Sequence, residues 1–170
     1  MFSIDHPSKY VIVLYVFLVY IYSCNHGLKP TAPQELEQAE IRGTISYSNW
    51  PPADSLFDLR LVVFKIYPPE NIFEEISAGR AFVYPAIGNE GLPFYTDSTT
   101  YVMQLDPGYY GYIAIAQQYG PNLFTDWLAA GQYDTLFSDE LPTSITVISG
   151  DLLQDINIKV DFDSLPPQPF

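Results

Sequence analysis

Two histidines, one cysteine and 20 acidic side chains are the residues of this 170-residue chain most able to do chemistry. His6 and His26 both precede residue 41, where the strand-like patterning begins. A histidine base, a Ser-His-Asp array or a histidine-bound zinc therefore has no histidine within the main domain. Glycine-rich phosphate loops are also missing from the sequence. We predict that the chain is not an enzyme and uses no cofactor.

Pairs of carboxylates are the remaining catalytic candidates, because two of them can act as acid and base on a sugar. The candidate pairs are Asp54 with Asp58, and Glu74 with Glu75. Nothing distinguishes either pair from ordinary solvating charges on surface loops. Asp161 and Asp163 stand two apart near a predicted strand end, but they lack the regular ligand spacing of a calcium loop. We predict no metal site.

The cysteine, Cys24, follows an unbroken apolar run from Tyr10 to Tyr22. This run is shorter than the roughly 20 residues of a membrane span. Lys9 before the run and Ser23 after it are typical of a secretory signal peptide. The letters "IYSC" resemble the lipobox of bacterial lipoproteins, which implies an acylated Cys24. An ordinary cleaved signal with an incidental cysteine and an uncleaved anchor helix are the alternatives.

The chain thus divides into a lipoprotein signal peptide (1–23), a flexible tether (24–40), a β-sandwich domain (41–163) and a proline-rich tail (164–170). Cleavage leaves the formal charge at −13, because residues 1–23 carry one acid and one base, Asp5 and Lys9. So acidic a surface argues against nucleic acid and anionic lipid as partners. We read the tail as an extended segment or a strap across the sandwich.

Alternation of apolar and polar residues predicts strands. Inward positions of the first strand are Ile41, Gly43, Ile45 and Tyr47, and those of the last are Ile156, Ile158, Val160 and Phe162. The stretch "DLRLVVFKIY" is apolar on both faces, so we expect that strand to be covered on both sides. Within the insertion before residue 143, we expect one helical turn at Thr125–Ala130. About seven strands with frequent turns predict an antiparallel sandwich.

Aromatic residues are abundant, with 14 tyrosines and two tryptophans. Trp50 and Trp127 lie in predicted loops. Tyr109 lies at the start of a predicted strand that also contains Tyr110 and Tyr112. A flat exposed ring can stack on a sugar or dock a protein. Trp50, Trp127 and Tyr109 are therefore candidate ligand-binding residues, with packing of these rings against the sandwich as the alternative.

Three stretches resemble carboxypeptidase-regulatory-like and transthyretin-like (prealbumin-like) domains. "LDPGYYGYIAIAQQYG" is similar to their Pro-Gly-x-Tyr strand start, and "IRGTISYSNWPPADSLFDLRLVVFK" to their first hairpin. "SITVISGDLLQDINIKVDF" is similar to their last hairpin. The resemblance implies an all-β, seven-stranded antiparallel Greek-key sandwich with long loop insertions. The chain also resembles lipoproteins of the Bacteroidetes and Chlorobi type, which imply no reaction.

Together these observations favour a non-catalytic lipoprotein of the bacterial cell envelope, held in a membrane through a lipid on Cys24. We expect the outer membrane, with secretion or an inner-membrane anchor as alternatives. The domain is expected to serve as an interaction or structural module for an envelope protein. Carbohydrate binding through the loop aromatics is the alternative function.

Overall fold

The computed structural model describes residues 37–136 and 141–169. Almost all of its elements are strands, joined by one short helix and one 3-10 turn at Ala53–Ser55. The elements are β1 (Ala39–Ser48), β2 (Asp58–Phe64), α1 (Ile72–Ser77), β3 (Ala81–Tyr84), β4 (Ser98–Leu105), β5 (Gly108–Tyr110), β6 (Tyr112–Gln118), β7 (Trp127–Gln132), β8 (Ile145–Val147), β9 (Leu152–Leu153) and β10 (Ile158–Asp161). Cys24 and the proposed signal peptide lie outside the described residues.

The strands form an all-β, sandwich-like fold built mainly on one large curled sheet. Its strand order is β3-β2-β6-β7-β10-β1-β4, with β9 also paired to β1, while β5 and β8 form a separate two-stranded sheet. The prediction of a purely antiparallel sheet was wrong, because β1 pairs in parallel with both β9 and β10. Parallel neighbours need a long connection. Here nearly the whole domain lies between β1 and β10.

The predicted first hairpin does not form, because β1 pairs with β4, β9 and β10 while β2 pairs with β3 and β6. The predicted last hairpin does not form either. β8 pairs with β5 in the small sheet, and β10 lies between β1 and β7 in the large one. The two alternating stretches therefore contribute to different sheets. Their alternation identified their buried faces but carried no information about their hydrogen-bonding partners.

The long tyrosine-rich strand is interrupted at Gly111, which separates β5 from β6. A side chain at this position would press against the backbone of Ile66 and Tyr67, at 3.2 Å from each. The interruption divides the tyrosines between two apolar clusters: Tyr110 packs in the larger core and Tyr112 in the smaller one. Tyr109 remains 55% exposed. The prediction that these tyrosines lie on one continuous strand was therefore wrong.

Burial along β1 and β2 follows the predicted patterns. β1 buries Ile41, Ile45 and Tyr47, while Gly43 is only partly buried. It begins at Ala39, two residues before the expected start, because Ala39 already pairs with Leu105 of β4. β2 is covered on both faces, with Leu59, Leu61 and Val63 in the larger cluster and Val62 with Phe64 in the smaller one. The last strand likewise buries Ile158 and Val160.

The predicted helical turn at Thr125–Ala130 was wrong, since the turn lies at residues 123–125 and β7 starts at Trp127. Pairing with β6 on one side and β10 on the other overrides the helix preference of "LAA". The tail crosses this strand: the side-chain amide of Gln168 accepts from the Ala129 N–H at 2.9 Å and donates to the Ala129 carbonyl at 3.0 Å. This contact supports the strap interpretation of the tail.

Candidate interaction surface

Strand β3 is one edge of the large sheet. Its partner β2 pairs Val63 with Phe82 and Leu61 with Tyr84. The Lys65 N–H donates to the Arg80 carbonyl, so by alternation Phe82 and Tyr84 point their backbone groups toward β2. The backbone N–H and C=O groups of Ala81 and Val83 consequently point away from the sheet. No strand in the described part of the chain pairs with this side of β3.

Strand β4 is the opposite edge. The Tyr47 N–H donates to the Asp97 carbonyl, which places Thr99, Tyr101 and Met103 in the hydrogen-bonded positions facing β1. The alternate residues direct their backbone groups outward. They are Ser98, Thr100, Val102 and Gln104, all with exposed side chains. Over eight residues β4 contains no charge and no proline, although these are the usual means by which proteins prevent an edge from pairing.

The curl of the sheet brings these two edges to one groove, which we call the seam. Ten residues line it: Ile76, Ala81, Phe82, Val83, Tyr84, Ala86, Ile87, Val102, Met103 and Gln104. The groove has a volume of about 560 Å³, and none of these side chains is charged. No hydrogen bond between β3 and β4 is found in the described residues. The rings of Tyr84 and Tyr101 lie 6.4 Å apart at their centroids, on the inner side.

A small, mostly apolar pocket adjoins the seam on the outer face of β3, and the ion-paired side chains of Asp58 and Arg60 form part of its lining. Ile76, Val83 and Ile87 line both, and Leu123 with Trp127 closes the far wall. The pocket itself is only about 40 Å³, which is enough for a small apolar group. Ile87 is 59% exposed and Leu123 is 44% exposed. Exposed apolar side chains around a concave apolar surface are typical of a protein-binding site.

An inward-pointing arginine holds the loop that carries Ile87. Arg60 on β2 is buried and pairs with Asp58 at 2.7 Å between Nε and Oδ2. Its remaining guanidinium N–H groups donate to the carbonyls of Pro85 at 3.0 Å and Asn89 at 2.8 Å. Both ends of the loop after β3 are thereby tied to the rigid sheet. Asp58 thus belongs to an ion pair, and its predicted partner Asp54 is exposed in the 3-10 turn.

Helix α1, which supplies Ile76, is fixed through a second ion pair to Arg80, the residue before β3. The Asn71 side chain caps the helix by accepting from the Phe73 N–H at 2.9 Å. Glu75 is buried and accepts hydrogen bonds from Arg80, 2.7 Å from Oε2 to Nε. This hydrogen bond lowers the pKa of the Glu75 carboxyl. The expectation that Glu74 and Glu75 are both solvating loop charges was wrong for Glu75, because its arginine partner compensates its burial.

Trp50 lies in the loop after β1, as expected, but its ring is enclosed by other rings. The centroids of Tyr47 and Phe162 are each 4.8 Å away, and that of Tyr95 is 5.4 Å away. The indole N–H donates to the Thr96 carbonyl at 3.0 Å. These contacts pin the loop to the sandwich, which is the packing alternative foreseen for this residue.

Trp127 is the first residue of β7 and not a loop residue. Its indole N–H donates to the Leu123 carbonyl, and its ring meets Phe73 edge-on at 6.5 Å. Of the three aromatic candidates, Trp127 alone borders the pocket beside the seam. Trp50, Trp127 and Tyr109 share no ring contact with one another in the described residues and line no common cavity. The structure does not bring them together.

Acidic groups do not assemble into a metal site in the part of the chain that is described. Asp161 ends β10 and accepts from the Asn49 side chain at 2.7 Å, while Asp163 lies in the following turn. The described residues also contain no helix long and apolar enough to cross a membrane.

Sequence reasoning missed the seam residues, above all Val83, Ile87 and Val102. The one available signal was the uncharged eight-residue stretch of β4. No protein-family model, curated protein or solved structure matches the chain. The resemblance to carboxypeptidase-regulatory-like and transthyretin-like domains therefore stays a prediction.

Proposed function

We propose that the chain is a non-catalytic interaction module of the bacterial cell envelope, tethered through a lipid on Cys24. The module binds an extended segment of a protein partner in the seam. The observation that carries this proposal is the meeting of two unpaired strand edges, β3 and β4, along one uncharged groove. Extended segments bind exposed sheet edges through main-chain hydrogen bonds, and side-chain pockets supply specificity.

The available backbone groups fit such a segment. Val83 on β3 and Val102 with Gln104 on β4 direct N–H and C=O groups into or beside the groove. β3 runs antiparallel to β4 when directions are followed across the sheet. A segment between them is therefore parallel to one edge and antiparallel to the other. The side chains of the bound segment then point alternately toward the core and toward the apolar pocket beside α1.

Site-specific photocrosslinking in the native host tests this proposal. A photoreactive residue replaces Gln104 in the seam, and a second version replaces Ile148, which is 64% exposed and lies outside the seam. We expect one discrete adduct from position 104 and not from position 148. Identical adducts from both positions, or none from position 104 at native expression, would contradict the proposal.

A pair of proline variants shows whether the adduct depends on strand addition. Val102→Pro removes an outward N–H inside the seam, and the control Ala53→Pro places a proline at the exposed first position of the 3-10 turn, away from β3 and β4. One net hydrogen bond of about 1 kcal/mol corresponds to a roughly fivefold loss of affinity. The adduct should therefore weaken in Val102→Pro and persist in Ala53→Pro. Equal behaviour of the two variants argues against pairing at this edge.

The anchor is tested separately by fatty-acid labelling with membrane fractionation of the natural chain and Cys24→Ala. Loss of both label and membrane retention in the variant supports a lipid on Cys24. If the natural chain takes no label, membrane retention distinguishes an uncleaved helix from a secreted domain. This result does not bear on the seam.

Carbohydrate binding remains the second candidate, supported by the 55% exposed ring of Tyr109. A glycan array with the natural chain and Tyr109→Ala examines it, since this exposed residue can be replaced without opening the core. Retention that depends on Tyr109 supports the hypothesis. Retention unaffected by Tyr109→Ala, or no retention at all, removes it.

A further inference from the structure

We infer that the segment accepted by the seam is an uncharged strand with basic residues on either side, and that it belongs to another protein. This inference rests on the proposed function and specifies the partner's chemistry. Its first support is the lining of the seam, where ten residues include no acidic or basic side chain. A charge buried in such a groove would lose its hydration without gaining a partner.

The second support is the placement of acidic residues around β4. Asp97 immediately precedes the strand and Asp106 immediately follows it, and both are exposed. Eight extended residues span about 27 Å at 3.4 Å each. This distance exceeds the Debye length of about 8 Å at physiological ionic strength, so each carboxylate acts on its own end of a bound segment.

The third support is that the arginines of the described residues already have acidic partners. Arg42 pairs with Glu40, Arg60 with Asp58 and Arg80 with Glu75. The whole chain carries a formal charge of −13. Of the two described lysines, Lys65 lies over the Phe82 ring, 5.4 Å from its centroid, and Lys159 lies on β10. No ion pair reaches Asp97 or Asp106 within the described residues, so the positive charges at these two positions are expected from the partner.

The same charges disfavour a second copy of this chain as the occupant. Antiparallel pairing of β4 with its own copy brings Asp97 of one molecule to the end that carries Asp106 of the other. Two strongly acidic domains would also repel each other. A bound strand with lysine or arginine at its ends would instead be attracted to Asp97 at one end of β4 and to Asp106 at the other.

Three synthetic peptides test the inference against the natural protein by fluorescence anisotropy. The parent peptide has eight alternating valine and threonine residues, matching the length of β4, between two lysines. The second replaces both lysines with glutamate, and the third methylates alternate backbone nitrogens of the parent. We expect the glutamate peptide to bind roughly tenfold more weakly at low salt, with the difference shrinking as salt is added. The methylated peptide should not bind.

The outcomes separate the two claims. If the lysine and glutamate peptides bind equally while methylation abolishes binding, the seam accepts strands and the charge inference is overturned. If methylation has no effect, or if no peptide binds, both the inference and the proposed function are overturned. A dimer of the free protein that Val102→Pro dissociates would make a second copy the occupant and would also overturn the inference.

Isosteric variants locate the charge effect. Asp97→Asn and Asp106→Asn should each reduce the preference for the lysine peptide by about threefold, half of the expected effect on a logarithmic scale. The control is Asp163→Asn, which removes one exposed carboxylate after β10, outside the seam lining. An equal loss in this control would show that net charge alone governs binding, which contradicts the placement argument.

Discussion

The buried hydroxyl of Tyr101 offers a quantitative test of the packing between β4 and the segment that enters β10. Tyr101 is 2% exposed, and its hydroxyl donates to the Ile156 carbonyl at 2.7 Å. Tyr101→Phe keeps the ring in the core and leaves that buried carbonyl without its hydroxyl donor. An unsatisfied buried polar group costs about 1–3 kcal/mol. We expect the free energy of unfolding to fall by this amount.

Thermal unfolding followed by circular dichroism measures the change. With an unfolding entropy of about 2.1 cal/mol/K per residue over roughly 130 described residues, 1 kcal/mol corresponds to about 4 °C. The midpoint of Tyr101→Phe should therefore fall by about 4–11 °C. Burial also raises the pKa of Tyr101 well above its ordinary range, so this tyrosine should be among the last to ionise in an alkaline titration.

Tyr112→Phe is the matched control. Tyr112 is also fully buried, but its hydroxyl has no hydrogen-bond partner among the described residues. Removing that hydroxyl should leave the midpoint unchanged or raise it slightly. Equal losses in both variants would refute the reasoning, because the cost would then come from the ring environment and not from the bond to Ile156.

Three further predictions concern stability. Gly43→Ala should lower the urea midpoint severely, since its new methyl group would lie 2.1 Å from the Ile156 carbonyl oxygen. Gly108→Ala is the control, because its methyl group meets no atom within 4 Å and should change the urea midpoint little. Glu75→Gln should lower the free energy of unfolding at pH 7 and make it depend less on pH in an acid titration monitored by fluorescence. The pKa of the Glu75 carboxyl is lowered in the folded state, so this group stabilises the fold above about pH 4.3, and its contribution disappears as the pH falls through the folded-state pKa. Burial raises the pKa of Tyr110 to about 12, so the folded state retains a proton that the unfolded state loses near pH 10. The free energy of unfolding, measured with urea, should therefore decrease as the pH rises from 10 to 12. A free energy of unfolding that stays constant over this range would contradict the assignment.

Much of the buried surface could be predicted from the sequence, because alternation depends only on neighbouring residues. The inward faces of β1 and β10 and the double coverage of β2 follow directly from their apolar patterns. Pairing partners could not be predicted in the same way. The parallel contact of β1 with β10 joins residues more than 100 positions apart, such as Ile45 and Ile158, and no local pattern specifies it.

The site was less predictable than the fold. Trp50 and Trp127 attracted attention as large rings in expected loops, but their indole N–H groups and ring faces serve local packing. The seam depends instead on the curl of the sheet, which brings Val83 and Val102 to one groove. The uncharged sequence of β4 indicated an unprotected strand, but its exposure as an edge became evident only from the strand order.

Amide hydrogen exchange measured by NMR, with and without the lysine-flanked peptide, tests strand addition at the seam most directly. In the free protein, the outward N–H groups of Val83 and Val102 should exchange rapidly, while those of Phe82 and Tyr101, which face paired strands, should be protected. Adding the peptide should slow exchange at Val83, Val102 or both, and leave the exposed N–H of Ala53 in the 3-10 turn unchanged. Binding without new protection at either valine would contradict the account.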